Sequence, residues 1–121
     1  MKDDLLNIKI SHSTQEKLEL TLYTTPRNNN TDLDLYSISH LEKQLIDIVS
    51  NYKSKLPKYI TLSLKPIHFI DSEGLFFCMQ TYTLFQKKGS TLILSNVNSE
   101  ILRIFKLTRV DQKIKVLPLI K

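Results

Sequence analysis

Glycine is nearly missing from this sequence: the 121 residues include two, Gly74 and Gly89. A dinucleotide fingerprint or a P-loop needs several glycines close together, so that backbone can reach phosphate. Both are excluded, and no cofactor is expected. Cysteine is scarcer still. The lone Cys78 rules out an intrachain disulfide and a cysteine-rich metal site. It reads as a small apolar residue on a helix. The three histidines, His12, His40 and His68, fall in different predicted elements without ligand-like spacing, so no metal centre is expected. No apolar run approaches the roughly 18 residues that a spanning helix requires, so no membrane insertion is expected. The opening Met1-Lys2-Asp3-Asp4 lacks the basic start and unbroken apolar stretch of a signal peptide. These absences point to the cytoplasm.

What is present fits one domain over residues 1–121. A chain of this size buries roughly two thirds of the surface it exposes when unfolded, enough for a core without staples. Hydrophobic residues at 41% and charged residues at 24% are ordinary for a soluble globular protein. The net charge of +5 invites a nucleic-acid reading. The basic residues are scattered, however, and Lys87-Lys88 is the longest pure run. Such scatter reads as a solvated surface, and no direct nucleic-acid contact is expected.

Periodicity then sets the elements. Residues 5–11 and 17–23 read as strands, the second alternating cleanly through Leu18, Leu20 and Leu22, with a hairpin between them. Residues 24–34 read as a loop, broken by Pro26 and Asn28-Asn29-Asn30. A first helix is expected from Ser37 or Ser39, where Ser39 and Glu42 fit a capping box, with an apolar stripe from Ile38 to Tyr52. It should end before Pro57. Residues 58–64 form another strand. A second helix over about 72–88 carries Leu75, Cys78, Met79, Tyr82 and Phe85 inward and ends at a C-cap glycine, Gly89. Residues 91–95 are a buried strand, Asn98 or Ser99 caps a third helix, and residues 113–117 are the last strand. The order β-β-α-β-α-β-α-β implies an α/β fold with a mostly parallel sheet of about five strands, an extra N-terminal strand and three or more helices.

In open α/β sheets, partners meet the carboxyl ends of the strands. Three loops leave those ends, containing Asp34, then Asp71-Ser72, then Asn96 to Ser99. The sharpest local feature is Phe69-Ile70-Asp71-Ser72-Glu73-Gly74-Leu75, which joins a strand to a helix. Ser72 falls at or next to the helix N-cap, where its hydroxyl can accept a first-turn amide. Gly74 lies in the first turn, where a missing side chain lets another molecule approach that hydroxyl. A phosphate on Ser72 would face the positive end of the helix dipole while lying between Asp71 and Glu73. Read alone, the same residues also describe a plain Asp-Ser helix cap.

The whole pattern resembles the STAS family. That family typically shows an apolar strand, Phe-x-Asp-Ser-x-Gly-Leu, a helix ending in Gly, a further apolar strand, and a helix closing on Leu-x-x-Thr-Gly-Leu. The matching stretches here are residues 60–64, 69–75, 88–94 and 101–108, and Asp32-Leu33-Asp34 looks like the family's approach to its first helix. The sequence differs at Glu73, where a small residue is usual, at Phe76, at Thr31, where glycine is common, and at Arg109-Val110, which replaces Gly-Leu. The resemblance implies stacked β-α turns and a non-enzymatic role in bacterial signal transduction and transcription regulation, as an anti-sigma-factor antagonist. It implies a phosphoprotein in which Ser72 is modified by an anti-sigma factor that is also a serine-protein kinase. The unmodified form binds that partner, and the phosphorylated form is released. Asp34, Asp71, Glu73, Gly74, Leu75, Phe76 and Asn96 are then the expected partner-binding residues. STAS-like domains also serve as constitutive subunits of transporters or larger signalling complexes. In that alternative Ser72 is only a cap, and an outward Phe76 anchors the contact. Ser72 as an enzymatic nucleophile has no identifiable general base beside it.

Overall fold

Strict alternation builds the sheet. In β2 (Lys17–Tyr23), Leu18, Leu20 and Leu22 are buried while the residues between them face the other side. Register then aligns the apolar rows. Leu18 pairs with Ile60 of β4 (Tyr59–Ser63), and Ile60 pairs with Leu92 of β6 (Thr91–Val97). Leu20, Leu62, Leu94 and Val116 of β7 (Lys115–Pro118) form the next row. β1 (Asn7–Ser13) joins the edge antiparallel to β2, with a bulge between Ile10 and His12. The order is β1-β2-β4-β6-β7, and every pairing except β1 with β2 is parallel. This is the five-stranded, mostly parallel sheet that the sequence predicts. The computed structural model describes residues 6–24, 31–52 and 55–119. Leu5, the first residue of the expected opening strand, and Pro26 with residues 28–30 of the expected loop lie outside them.

From β2 onward each crossover advances one place along the sheet. Right-handed connections therefore put α1 (Leu35–Ser50), α2 (Ser72–Lys87) and α3 (Ser99–Leu107) on the same face. Leu41 and Leu45 of α1, Phe77, Cys78 and Phe85 of α2, and Ile101 and Phe105 of α3 are buried against the leucine rows. Phe85 and Phe105 are wholly buried and contribute roughly 1.5–3 kcal/mol each from transfer out of water. The end of α2 follows the expectation for Gly89. Its φ is 85°, and the amides of Gly89 and Ser90 reach the carbonyls of Gln86 and Phe85 in a Schellman arrangement.

Two boundaries and one helix face differ from the sequence reading. α1 begins at Leu35, because Asp34 caps it and Ser37 closes the box by accepting from the Asp34 amide at 3.2 Å. Ser39 and Glu42 are mid-helix. The inner face of α2 is turned toward Gly74, Phe77 and Thr81, leaving Leu75, Met79 and Tyr82 only half-buried. Thr81 tolerates burial because its hydroxyl donates to the Phe77 carbonyl at 2.7 Å. β7 starts at Lys115, since a 3-10 turn over Val110–Gln112 takes up the preceding chain.

Candidate functional site

A second, two-stranded sheet positions the site. β3 (Asp32–Leu33) pairs in parallel with β5 (Phe69–Ile70), Leu33 opposite Ile70. The residue after each pair is an aspartate that caps a helix. Asp34 and Asp71 therefore emerge side by side, at the starts of α1 and α2. The Asp71 amide donates to the Leu33 carbonyl at 3.3 Å, and the His68 amide donates to the Thr31 carbonyl at 2.9 Å, fixing one loop to the other. The third loop is tied in by Asn98. It caps α3 by accepting from the Ile101 amide at 2.9 Å and donates its own Nδ2 to the Ile67 carbonyl at 2.7 Å.

The structure separates the roles of Asp71 and Ser72. The Asp71 carboxylate accepts the Gly74 amide at 2.8 Å and is the N-cap. Ser72 is the first helical residue, so its hydroxyl is not the cap acceptor that the motif allowed. It is exposed and makes no hydrogen bond within the described residues. The first-turn amides of Ser72 and Glu73 have no intrahelical carbonyl to meet. Exposed Glu73 follows, adding a carboxylate to those of Asp34 and Asp71 on the same rim.

Gly74 is bare for an internal reason. A Cβ there would collide with the Leu33 backbone carbonyl and lie 2.6 Å from Ile70 Cγ1. The absent side chain lets the first turn of α2 close onto β3. It does not open a path for another molecule, and Gly74 itself is buried. Asn96 holds a left-handed φ of 55° and donates Nδ2 to Ser63 Oγ at 2.8 Å, bracing the ends of β4 and β6. Leu75 is half-buried, whereas Phe76 is 58% exposed.

Sequence reasoning missed the apolar side chains around the rim. Leu35 and Tyr36 follow the Asp34 cap, Phe69 precedes Asp71, and all three are exposed; Tyr36 reaches 81%. The signal was an apolar pair directly after a cap, outside the helical stripe. Cys78 lies beneath, fully buried, and desolvation pushes its thiol from 9.0 up to about 12. It is a core residue.

Comparison with known proteins bears on the family and the fold. The anti-sigma-B factor antagonist of Bacillus subtilis (strain 168) is 26% identical over 77 residues, 64% of this chain and 66% of that protein, just under two thirds of its length. The solved structure of the murine solute carrier 26 family member A9 anion transporter, in its inward-facing state, matches with a TM-score of 0.68 at 15% identity. That match takes in 90% of this chain and 17% of the transporter, and at such identity it shows a shared fold alone. Residues 28–120 match the STAS domain family. With its strand order, its Asp-Ser helix start and this match over most of its length, the chain belongs to the STAS domain family.

Proposed function

We propose that this chain is a phosphorylation-gated protein-binding module. In this reading it binds an anti-sigma factor that is also a serine kinase, within a bacterial cytoplasm, and is released when Ser72 is phosphorylated. The observation that carries the reading is the exposed Ser72 at the start of α2, whose hydroxyl makes no hydrogen bond among the described residues. Because Asp71 already satisfies the cap, Ser72 can be modified without breaking a helix contact. Phosphoryl transfer from ATP would form the bond from Ser72 Oγ to the γ-phosphorus as the bond to the β–γ bridging oxygen breaks, so that ADP leaves and the hydroxyl proton passes to a base of the kinase or to water. The added phosphate brings roughly −1.5 to −2 charges at neutral pH.

Two effects then oppose each other. The helix start favours an anion by roughly 0.3–1 kcal/mol. Asp71 and Glu73 flank the same atom and make the rim densely negative. The isolated protein therefore tolerates the modification, while a partner that must desolvate this rim against an acidic or apolar surface is repelled. Tyr36, Phe69 and Phe76 supply the exposed apolar contact around the switch. The test is incubation with ATP and candidate kinases of the source organism, with phosphosite mapping and partner titration. Modification at Ser72, loss of it in Ser72→Ala, and at least tenfold weaker binding by Ser72→Asp are expected. An unmodified Ser72, together with Ser72→Asp binding as tightly as the wild type, rejects the switch.

A constitutive subunit of a transporter or larger signalling complex is the second reading. The exposure of Phe76 favours it, since an aromatic anchor needs no phosphate gate. In that case Phe76→Ala breaks a complex that Ser72→Asp leaves intact.

A further inference from the structure

The net charge of +5 is divided unequally between the two ends of the molecule. Strand C-termini and helix N-termini share one end, which carries Asp32, Asp34, Asp71, Glu73 and Glu100, against the cation Lys65. Strand N-termini and helix C-termini share the other. That end carries Lys55, Lys58, Lys88, Lys106, Arg109 and Lys113, against the acids Glu16, Asp47 and Asp111. Two pairs of basic residues are neighbours in space, and the topology brings the rest to the same end. Lys55 and Lys88 line one cavity of about 300 Å³ with Tyr52 and Leu56. Lys113 shares a groove with Lys87. Lys58 is held beside the turn after α2, its carbonyl accepting the Thr91 amide at 2.8 Å.

Helix dipoles account for part of this: Lys87 and Lys106 lie in the last turns of α2 and α3, and Lys88 is the C-cap of α2. α1 has no basic residue in its last turn, and Lys55, Lys58, Arg109 and Lys113 lie outside the helices. Arg109 is exposed with φ 64°, a left-handed conformation that favours glycine, so a cation is kept there at a conformational cost. Two apolar side chains protrude among the cations. Leu107 is 75% exposed between Lys106 and Arg109, and Tyr59 is 42% exposed beside Lys58. A nucleic-acid backbone calls for cations and hydrogen-bond donors, and gives an exposed leucine nothing to contact. An anionic bilayer surface takes both. The cations sit in the field of the headgroups, and leucine and tyrosine reach the boundary with the acyl chains.

We propose that this basic end docks peripherally on the anionic surface of a lipid bilayer and presents the Ser72 rim away from it. No helix among the described residues is long and apolar enough to cross the membrane, so the contact is with the surface. The docking is independent of whether Ser72 is modified.

The test is co-sedimentation of the full chain with phosphatidylcholine vesicles, with and without phosphatidylserine, and a short DNA duplex as the polyanion control. Partition onto the phosphatidylserine vesicles alone, weakened by salt, is expected. Each cation near an anionic leaflet is worth roughly fivefold in partition, so K55E/K88E/R109E should lower binding about a hundredfold or more. Leu107→Gln, which removes the apolar contact without changing the charge, should lower vesicle binding severalfold and leave duplex binding unchanged. These four positions are exposed, and an unchanged circular dichroism spectrum confirms that the variants fold. Ser72→Asp should partition like the wild type, which separates this outcome from that of the switch. No partition onto phosphatidylserine vesicles overturns the proposal. So does partition unmoved by the triple substitution, or by Leu107→Gln, which would make the patch a general polyanion site.

Discussion

Asp71 and Ser72 divide two tasks that adjacent residues of this kind can exchange. Asp71 has extended backbone, φ −104° and ψ −173°, which aims its carboxylate at the Gly74 amide. Asp71→Ala should therefore cost about 1 kcal/mol in urea unfolding. Ser72→Ala should stay within about 0.5 kcal/mol of the wild type, since its hydroxyl bonds nothing in the described fold. The sequence shows that one of the two caps α2; which one depends on backbone torsions that no residue pattern encodes. Gly74→Ala should cost about 1–3 kcal/mol, because the new methyl meets the Leu33 backbone. The Cys78 thiol gives a test by pH. Its folded value is raised from 9.0 to about 12, so between those values the unfolded chain holds fewer protons than the folded one. Cys78 has no pH effect on stability below about pH 8, and stability falls as pH rises from about 9 toward 12. Cys78→Ala should remove that alkaline slope, read as a flatter dependence of unfolding midpoint on pH. At pH 8 a thiol reagent should label the wild type only once it is unfolded.

At the scale of elements, period decides what can be read. Leu18, Leu20 and Leu22 announce β2, and the Lys87-Lys88-Gly89 ending announces the C-terminus of α2, because alternation and a positive-φ glycine are local signals. β3 and β5 are two residues long and carry no period at all. They exist because Leu33 and Ile70 are both buried beneath the rim and their backbones must pair. This small sheet is what sets Asp34 beside Asp71, so the convergence of the loops was legible while the means of holding them was not. The exposed Tyr36 escaped notice for a related reason. The sequence pattern begins the helix at Ser37 or Ser39, so Leu35 and Tyr36 fall outside its apolar stripe. The turn after α3 offers a direct check on element chemistry. Arg109→Gly should raise stability by up to about 1 kcal/mol, measured as a higher unfolding midpoint, because glycine relieves the left-handed strain at φ 64°.

The whole molecule is polarised along its strands. One end gathers the helix starts, five acidic side chains and the exposed Ser72, and the other gathers most of the cations that follow helices and precede strands. That polarity follows from topology, since three helices on one face of a parallel sheet must all begin at the same edge. Membership of the STAS domain family was legible because the Asp-Ser-x-Gly-Leu core sits within the full strand and helix order. The charge division was not, because the basic residues are scattered along the chain and meet only in space. The proposed gate at Ser72 depends on charge placed at the acidic end. Calorimetric titration of the partner kinase with unmodified and with Ser72-phosphorylated protein measures this directly. At least tenfold weaker binding of the phosphorylated form is predicted, and equal affinity of the two forms would contradict it.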